Sequence, residues 1–352
     1  MPTIRRLFGI TDDATAGGTE YDDASGTIPN ADTFYPVTGG TVEGNIERTD
    51  RNSEVRGRRA NTNPLPFRAA PVVTVPVAAY RTVLEKVLYM GMGEVNTTGG
   101  SGSTPYTHTL TPVQFGDIAL PAAHVQIIRD DLNVKVLGAS VNRVTMNFPL
   151  DAEGNAEVEF WGKWMKEFSS GAPTASFTGL SDNPMYLRDA KVYIDDSPTV
   201  VQDLQGVTFA YVNNLTRKWY AGRNVESRTL GTPTPARKKL WWPTENKAQG
   251  APDIQYSVQF GNTEVAQEVA SWFSQIQKFV FEFTGDPLSG SYSASDEKIT
   301  ITLHNTVHTG GGADPLTARD DIPATFEGGA FYSTAAAADL EIEIQSDTAS
   351  LA

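Results

Sequence analysis

The chain has 352 residues, 39% of them hydrophobic, which is enough apolar material for one large core or two ordinary ones, and its length favours two. No apolar run approaches the roughly 20 residues of a membrane helix, and no apolar signal core follows Met1-Pro2-Thr3-Ile4-Arg5-Arg6, so the reading is of a protein made in a cytoplasm. The absence of cysteine excludes disulfides, thiolate zinc sites and cysteine nucleophiles, and a net charge of −14 argues against a free-standing nucleic-acid binder, which would carry a basic face.

Residues 1–40 are rich in Gly, Thr and Asp with little periodicity and read as an N-terminal arm, acidic at Asp12, Asp13, Glu20, Asp22 and Asp23. A first domain is expected over 41–168. A short strand at Thr41–Ile46 precedes a basic loop, Glu47–Pro66, holding Arg48, Arg51, Arg56, Arg58 and Arg59. Val73, Val75 and Val77 then alternate as in a strand, and Val83, Leu84, Val87 and Leu88 fall on one helical face. A Gly/Ser/Thr loop at Asn96–Ser103 follows. Four β segments come next, at His124–Ile128, Val134–Leu137, Val141–Leu150 and Ala156–Gly162, joined by turn formers in an antiparallel meander.

Ser, Gly, Thr and Pro accumulate at 169–184, the expected linker. A second domain is expected over 185–346, ahead of a tail at 347–352. It opens with strands at Lys191–Ile194 and Leu204–Val212 and enters a long loop, Asn213–Ala251. That loop carries Arg217, Lys218, Arg223, Arg228, Arg237, Lys238 and Lys239 beside Trp219, Tyr220, Trp241 and Trp242. The strand-then-helix pattern then returns: Ile254, Tyr256, Val258 and Phe260 alternate, and Val265, Val269, Trp272 and Phe273 take helical spacing. Further β segments are expected at Lys278–Phe283, Lys298–His304 and Leu340–Ile344, with a loop at Thr309–Asp321. The fold class is mainly β, built from two similar units, each with one short flanking helix.

Residues for chemistry are sparse. Of His108, His124, His304 and His308, the last two have helical ligand spacing but lie on a strand, where positions i and i+4 do not converge. Asp130-Asp131, Asp195-Asp196 and Asp320-Asp321 are explained by turns more simply than by calcium. Gly99-Gly100-Ser101-Gly102 and Gly310-Gly311-Gly312 lack the Lys and Ser/Thr of a phosphate-binding loop. No enzyme activity, metal or cofactor is expected. The two basic loops suit either single-stranded nucleic acid, through stacking and phosphate contact, or a protein contact; the acidic remainder favours the second, with the arm's carboxylates as partners.

Gly138-Ala139-Ser140-Val141-Asn142-Arg143-Val144-Thr145-Met146-Asn147-Phe148, followed by Gly154 to Gly162, resembles the paired strands of the tail tube proteins, or major tail proteins, of long-tailed bacteriophages. Ala190 to Asp196 and Leu204 to Leu215 are similar to the same family, a strand leading to a long loop. The resemblance covers roughly residues 38 to 346 and rests on element order. It implies two tandem β-sandwich or barrel domains whose sheets join between subunits into rings that stack as a tube. A duplicated chain implies a trimeric ring with pseudo-sixfold symmetry. It implies as partners the chain itself, the tape measure, terminator and tip proteins, and phage DNA in transit without sequence-specific binding. It places the protein in the virion tail, assembled in the host bacterial cytoplasm. Ring stacking falls to Arg48, Arg51, Arg56, Arg58, Arg59, Arg217, Lys218, Trp219, Arg223, Arg237, Lys238, Lys239, Trp241 and Trp242. The lumen-facing sheet falls to Val141, Arg143, Thr145, Asn147, Glu157, Glu159, Thr208, Glu341 and Glu343, where acidity would keep DNA from sticking. The alternative of another class is a secreted β-sandwich binding module, a carbohydrate or receptor adhesin with aromatic platforms.

Overall fold

The computed structural model describes residues 6–12, 33–37, 39–49, 65–113, 120–129, 132–168, 183–195, 200, 204–219, 225–227, 239–241, 243, 245–248, 250–261, 277–313 and 324–351. The first half comprises β1 (Arg6–Asp12), β2 (Thr33–Pro36), β3 (Thr41–Glu43), β4 (Glu47–Thr49), β5 (Leu65–Arg68), β6 (Val72–Ala78), α1 (Arg81–Met92), β7 (Gly93–Gly99), β8 (Tyr106–Pro112), β9 (Ala123–Arg129), β10 (Leu132–Pro149), β11 (Asn155–Trp161) and β12 (Trp164–Phe168). The second comprises β13 (Ala190–Ile194), β14 (Leu204–Val212), β15 (Leu215–Lys218), β16 (Val225–Ser227), β17 (Lys239–Trp241), β18 (Glu245–Ala248), β19 (Asp253–Phe260), β20 (Gln277–Pro287), β21 (Asp296–Ala313), β22 (Ala324–Phe331) and β23 (Leu340–Ser346). The fold is mainly β, and α1 is the one α-helix among the described residues.

The alternation in β6 buries Val73, Val75 and Val77, and the apolar stripe of α1 buries Val83, Leu84, Val87 and Leu88 against them. Gly93, at φ 82°, ends the helix by donating its backbone N–H to Tyr89 O, a left-handed cap that glycine adopts without a Cβ clash. In the second half, Ile254, Tyr256, Val258 and Phe260 of β19 are buried as the alternation predicts. The helix expected around Val265–Phe273 lies outside the described residues.

Two strands of 18 residues, β10 and β21, organise the sheets. The first half of β10 pairs with β9 and β12, its second half with β11 and β14. Gly138, at φ 55°, and a register shift between Val141 and Arg143 carry the strand from one sheet into the other. The segments expected separately at Val134–Leu137 and Val141–Leu150 are therefore one strand. β21 likewise pairs through its first half with β20 and β23 and through its second with β22, and it runs on through Gly310-Gly311-Gly312, where a loop was expected. Of the Gly/Ser/Thr stretch expected as a loop, residues 96–99 belong to β7, and residues 100–103 lie in the tip of the β7–β8 hairpin, whose β8 pairs onward with β23.

The described strands of the two halves repeat each other in pairing well beyond the one alternating strand, β6 and β19, that recurs in the sequence. β1·β9, β3·β6, β4·β5, β6·β11, β11·β10, β10·β9 and β10·β12 match β13·β20, β14·β19, β15·β18, β19·β22, β22·β21, β21·β20 and β21·β23 in order, all antiparallel. The β7–β8 hairpin and the β16–β17 hairpin have no counterpart among the described residues. Three strand pairings join the halves: β14 lies along β10 from Arg143 to Pro149, β23 lies along β8, and β17 meets β5.

The apolar core is continuous across that junction, with Phe148 stacked on Phe283 at 4.0 Å. A buried ionic cluster adds a further tie. Arg81, at the start of α1, pairs with Glu85 at 2.7 Å, Glu297 of β21 at 2.9 Å and Asp347 after β23 at 2.8 Å. Burial opposes the guanidinium charge, but the three carboxylates outweigh it and hold its pKa above the ordinary value.

Candidate assembly surfaces

Eight strands form one sheet in the order β3-β6-β11-β10-β14-β19-β22-β21, using the second halves of the two long strands. Its inner face is the core. Its other face is half-exposed and small or polar, as one row of cross-strand partners shows: Pro76, Glu157, Thr145, Ala210, Gln255, Gly329 and Val307 stand side by side. Among the described residues of these eight strands, Glu43, Glu157, Glu159, Asp253 and Glu327 share this face with one base, Arg143, and Arg143 is itself paired to Glu157 at 2.7 Å. The face is acidic.

Of the residues expected on a lumen-facing sheet, Arg143, Thr145, Asn147, Glu157, Glu159 and Thr208 lie together here, and Thr208 donates a hydrogen bond to Asn147 at 3.0 Å. Val141 does not: it is fully buried, because the register shift after it takes it out of the alternation that begins at Arg143. Glu341 and Glu343 also lie elsewhere, on β23 between β21 and β8, since β23 pairs with the first half of β21 and not with the eight-stranded sheet.

The two basic loops, both expected in ring stacking, meet. β4 and β5 from the first join β17 and β16 from the second in one small sheet, with β17 parallel to β5 at Trp241 and Arg68. Arg68 lies over the Trp219 ring at 5.0 Å. Arg48 falls in β4, Lys218 in β15, and Lys239 and Trp241 in β17, while Arg51, Arg56, Arg58, Arg59, Arg223, Arg237, Lys238 and Trp242 lie outside the described residues. Arg217 is turned inward: its guanidinium sits 4.2 Å over the Trp161 ring and donates to Pro71 O at 2.9 Å. Burial lowers its pKa to about 10 against the opposing pull of Glu159.

Arg217 belongs to the junction between the halves. After β14 the chain passes through Asn213, whose backbone N–H donates to Asn142 O at 2.8 Å and whose side-chain amide donates to Gly91 O and Val141 O at 2.8 and 2.9 Å. Asn214 follows at φ 51°, a left-handed turn that Asn tolerates. Leu215 then donates its N–H to Asn142 Oδ1 at 3.0 Å and buries its side chain in a cluster against Trp161. Sequence reading missed this seat, and a short internal match would have found it: Asn214-Leu215-Thr216-Arg217 follows β14 as Asn45-Ile46-Glu47-Arg48 follows β3.

His108 is fully buried, with Nε2 donating to Thr348 O at 2.9 Å and Nδ1 accepting from Thr97 at 2.9 Å, and burial lowers its pKa. His304 and His308 both lie on β21; His308 Nδ1 is 3.1 Å from Tyr256 Oη among the rings of Phe279 and Phe326. No group of three potential metal ligands occurs among the described residues. A shallow depression of about 430 Å³ sits on the acidic face where β10 meets β14, lined by Asn147, Asp151, Gln205, Thr208, Ser257 and Gln259. The sequence matches no protein-family model and no curated protein. No helix of the described residues is long and apolar enough to cross a membrane.

Proposed function

We propose that the chain is a structural tube protein of the phage tail type, which associates with copies of itself into rings that stack as a conduit for DNA. The observation that carries this reading is the repeated strand pairing, which builds one eight-stranded sheet from two like units and gives it a single acidic face. Two units joined head to tail are the start of a rotation, and three chains would then place six units around a pseudo-sixfold ring. Turned inward, the acidic face supplies a lumen in which phosphate meets carboxylates, so that transit adds no sticking contacts. The ring is a virion component assembled in the host cytoplasm, with tape measure, terminator and tip proteins as its further partners. Of the loop aromatics that the sugar-binding alternative would use as platforms, Trp219 has Arg68 over its ring.

Negative-stain electron microscopy of the concentrated protein tests the reading. Hollow rings or tubes with threefold or pseudo-sixfold end views support it. Monomers at every concentration, with or without the initiating tip proteins, refute it.

A further inference from the structure

The two ends of the eight-stranded sheet match the two sides of the junction already made inside the chain. We propose that β3 of one copy pairs antiparallel with the second half of β21 of another, seating Ile46 on Phe331. The inference deepens the ring reading and rests on it for closure, while the contact itself stands on the repeat.

Each half presents the same pair of surfaces. On β10, β11 and β12 occupy one side, and β9 followed by β14 the other. On β21, β22 and β23 occupy the first side and β20 the start of the second, but from Val307 onward no strand among the described residues takes the place that β14 takes on β10. At the other end, β3 is the counterpart of β14: it pairs with β6 as β14 pairs with β19, and no strand among the described residues covers its outer side. Among the described residues, an acceptor edge and its matching donor strand are therefore both left without a strand at opposite ends of one sheet.

The side chains at these edges carry the same signature. Asn45, at φ 40°, turns the chain after β3 as Asn214 does after β14. Ile46 then stands where Leu215 stands, but Leu215 is 5% exposed and Ile46 is 42% exposed. Phe331 ends β22 as Trp161 ends β11, and it is 53% exposed where Trp161 has Leu215 and Arg217 against it. Arg48 has the spacing from Ile46 that Arg217 has from Leu215. Of the exposed large apolar residues described, Ile46, Val307, Phe331 and Tyr332 sit at these two edges, and Leu150 alone lies away from them. Such a concentration of apolar surface marks a contact, and the buried Leu215–Trp161 seat shows what fills it.

Because the chain has no cysteine, Ile46→Cys with Phe331→Cys supplies one defined pair for a short bismaleimide. The double variant should give a ladder of covalent oligomers that stops at three chains, while either single variant, and Leu150→Cys with Phe331→Cys, should stay at one. Separately, Ile46→Asp and Phe331→Asp, both at exposed positions that the monomer tolerates, should keep a normal circular dichroism spectrum and weaken association tenfold or more, as loss of one buried apolar contact implies; Leu150→Asp should not. Rings seen by microscopy with no ladder would overturn the edge pairing and leave the ring reading intact. A ladder without end would uphold the pairing and overturn closure at three. A dimer from Phe331→Cys alone would mean like edges meet, and would overturn the proposal.

Discussion

Replacing Arg81 with Leu should be among the most damaging single changes at a charged residue in this protein. The guanidinium is 4% exposed and serves three carboxylates, two of them, Glu85 and Glu297, with side chains only 6% and 7% exposed. Leu fills much of the volume but leaves two buried acids without a cation, and breaking a buried ionic network from one side costs about 3–5 kcal/mol. Against a total stability of about 5–15 kcal/mol, that is a large share. Removing the charges together is a different perturbation: Arg81→Leu with Glu85→Gln and Glu297→Gln should recover most of the loss, since no uncompensated charge stays buried. Urea denaturation followed by tryptophan fluorescence measures both. The Arg143–Glu157 pair serves as the comparison, because its side chains are 44% and 46% exposed and an exposed pair contributes about 0–1 kcal/mol. If Arg81→Leu costs no more than Arg143→Leu, or if the triple variant is no better than the single one, the reasoning about the cluster fails.

Burial pushes the Glu85 pKa up from its ordinary 4.5 despite Arg81, so the folded state holds that proton more tightly and this residue's contribution to stability falls as pH rises above 4.5. Glu85→Gln should therefore gain on the wild type between pH 4.5 and 7 in urea titrations; a constant difference would contradict this. His108 has the opposite sense: its folded pKa lies below the ordinary 6.5, so stability present above 6.5 is lost as pH falls through the lowered value. In His108→Gln that acid-side loss should shrink, as read from melting temperatures at pH 5 and 7. Arg217→Ala removes a charged hydrogen bond to Pro71 O and a contact with Trp161, and should cost about 2–3 kcal/mol. An effect near zero would mean that the guanidinium is replaceable by water.

Period-two alternation made β6, β11 and β19 legible, because each has one core face and one wet face. The continuity of β10 and β21 was hidden for a local reason. Gly138 and the Gly310–Gly312 run read as breaks, yet Gly138 sits where β10 leaves one sheet and joins another and glycine makes the bend cheap, while Gly310–Gly312 stay in the ladder with β22. Burial of Val141 was likewise invisible, since a single register shift inverts which parity faces the core. The basic loops were found by charge, but their union through β5 and β17 depends on pairing between segments far apart in the chain, which composition does not encode. The repeat was expected from one strand and helix; the strand recurs as β6 and β19, the second helix lies outside the described residues, and the rest of the likeness lies in which strands pair, with Asn45-Ile46-Glu47-Arg48 and Asn214-Leu215-Thr216-Arg217 as a matching fragment of sequence.

The most direct test of the account is a cryo-electron microscopy reconstruction of the closed assembly. The account predicts three chains and six like junctions, alternating between β14 on β10 within a chain and β3 on β21 between chains, with the acidic face turned to the lumen. A ring in which β3 and the second half of β21 stay unpaired, or in which that face points outward, would contradict it.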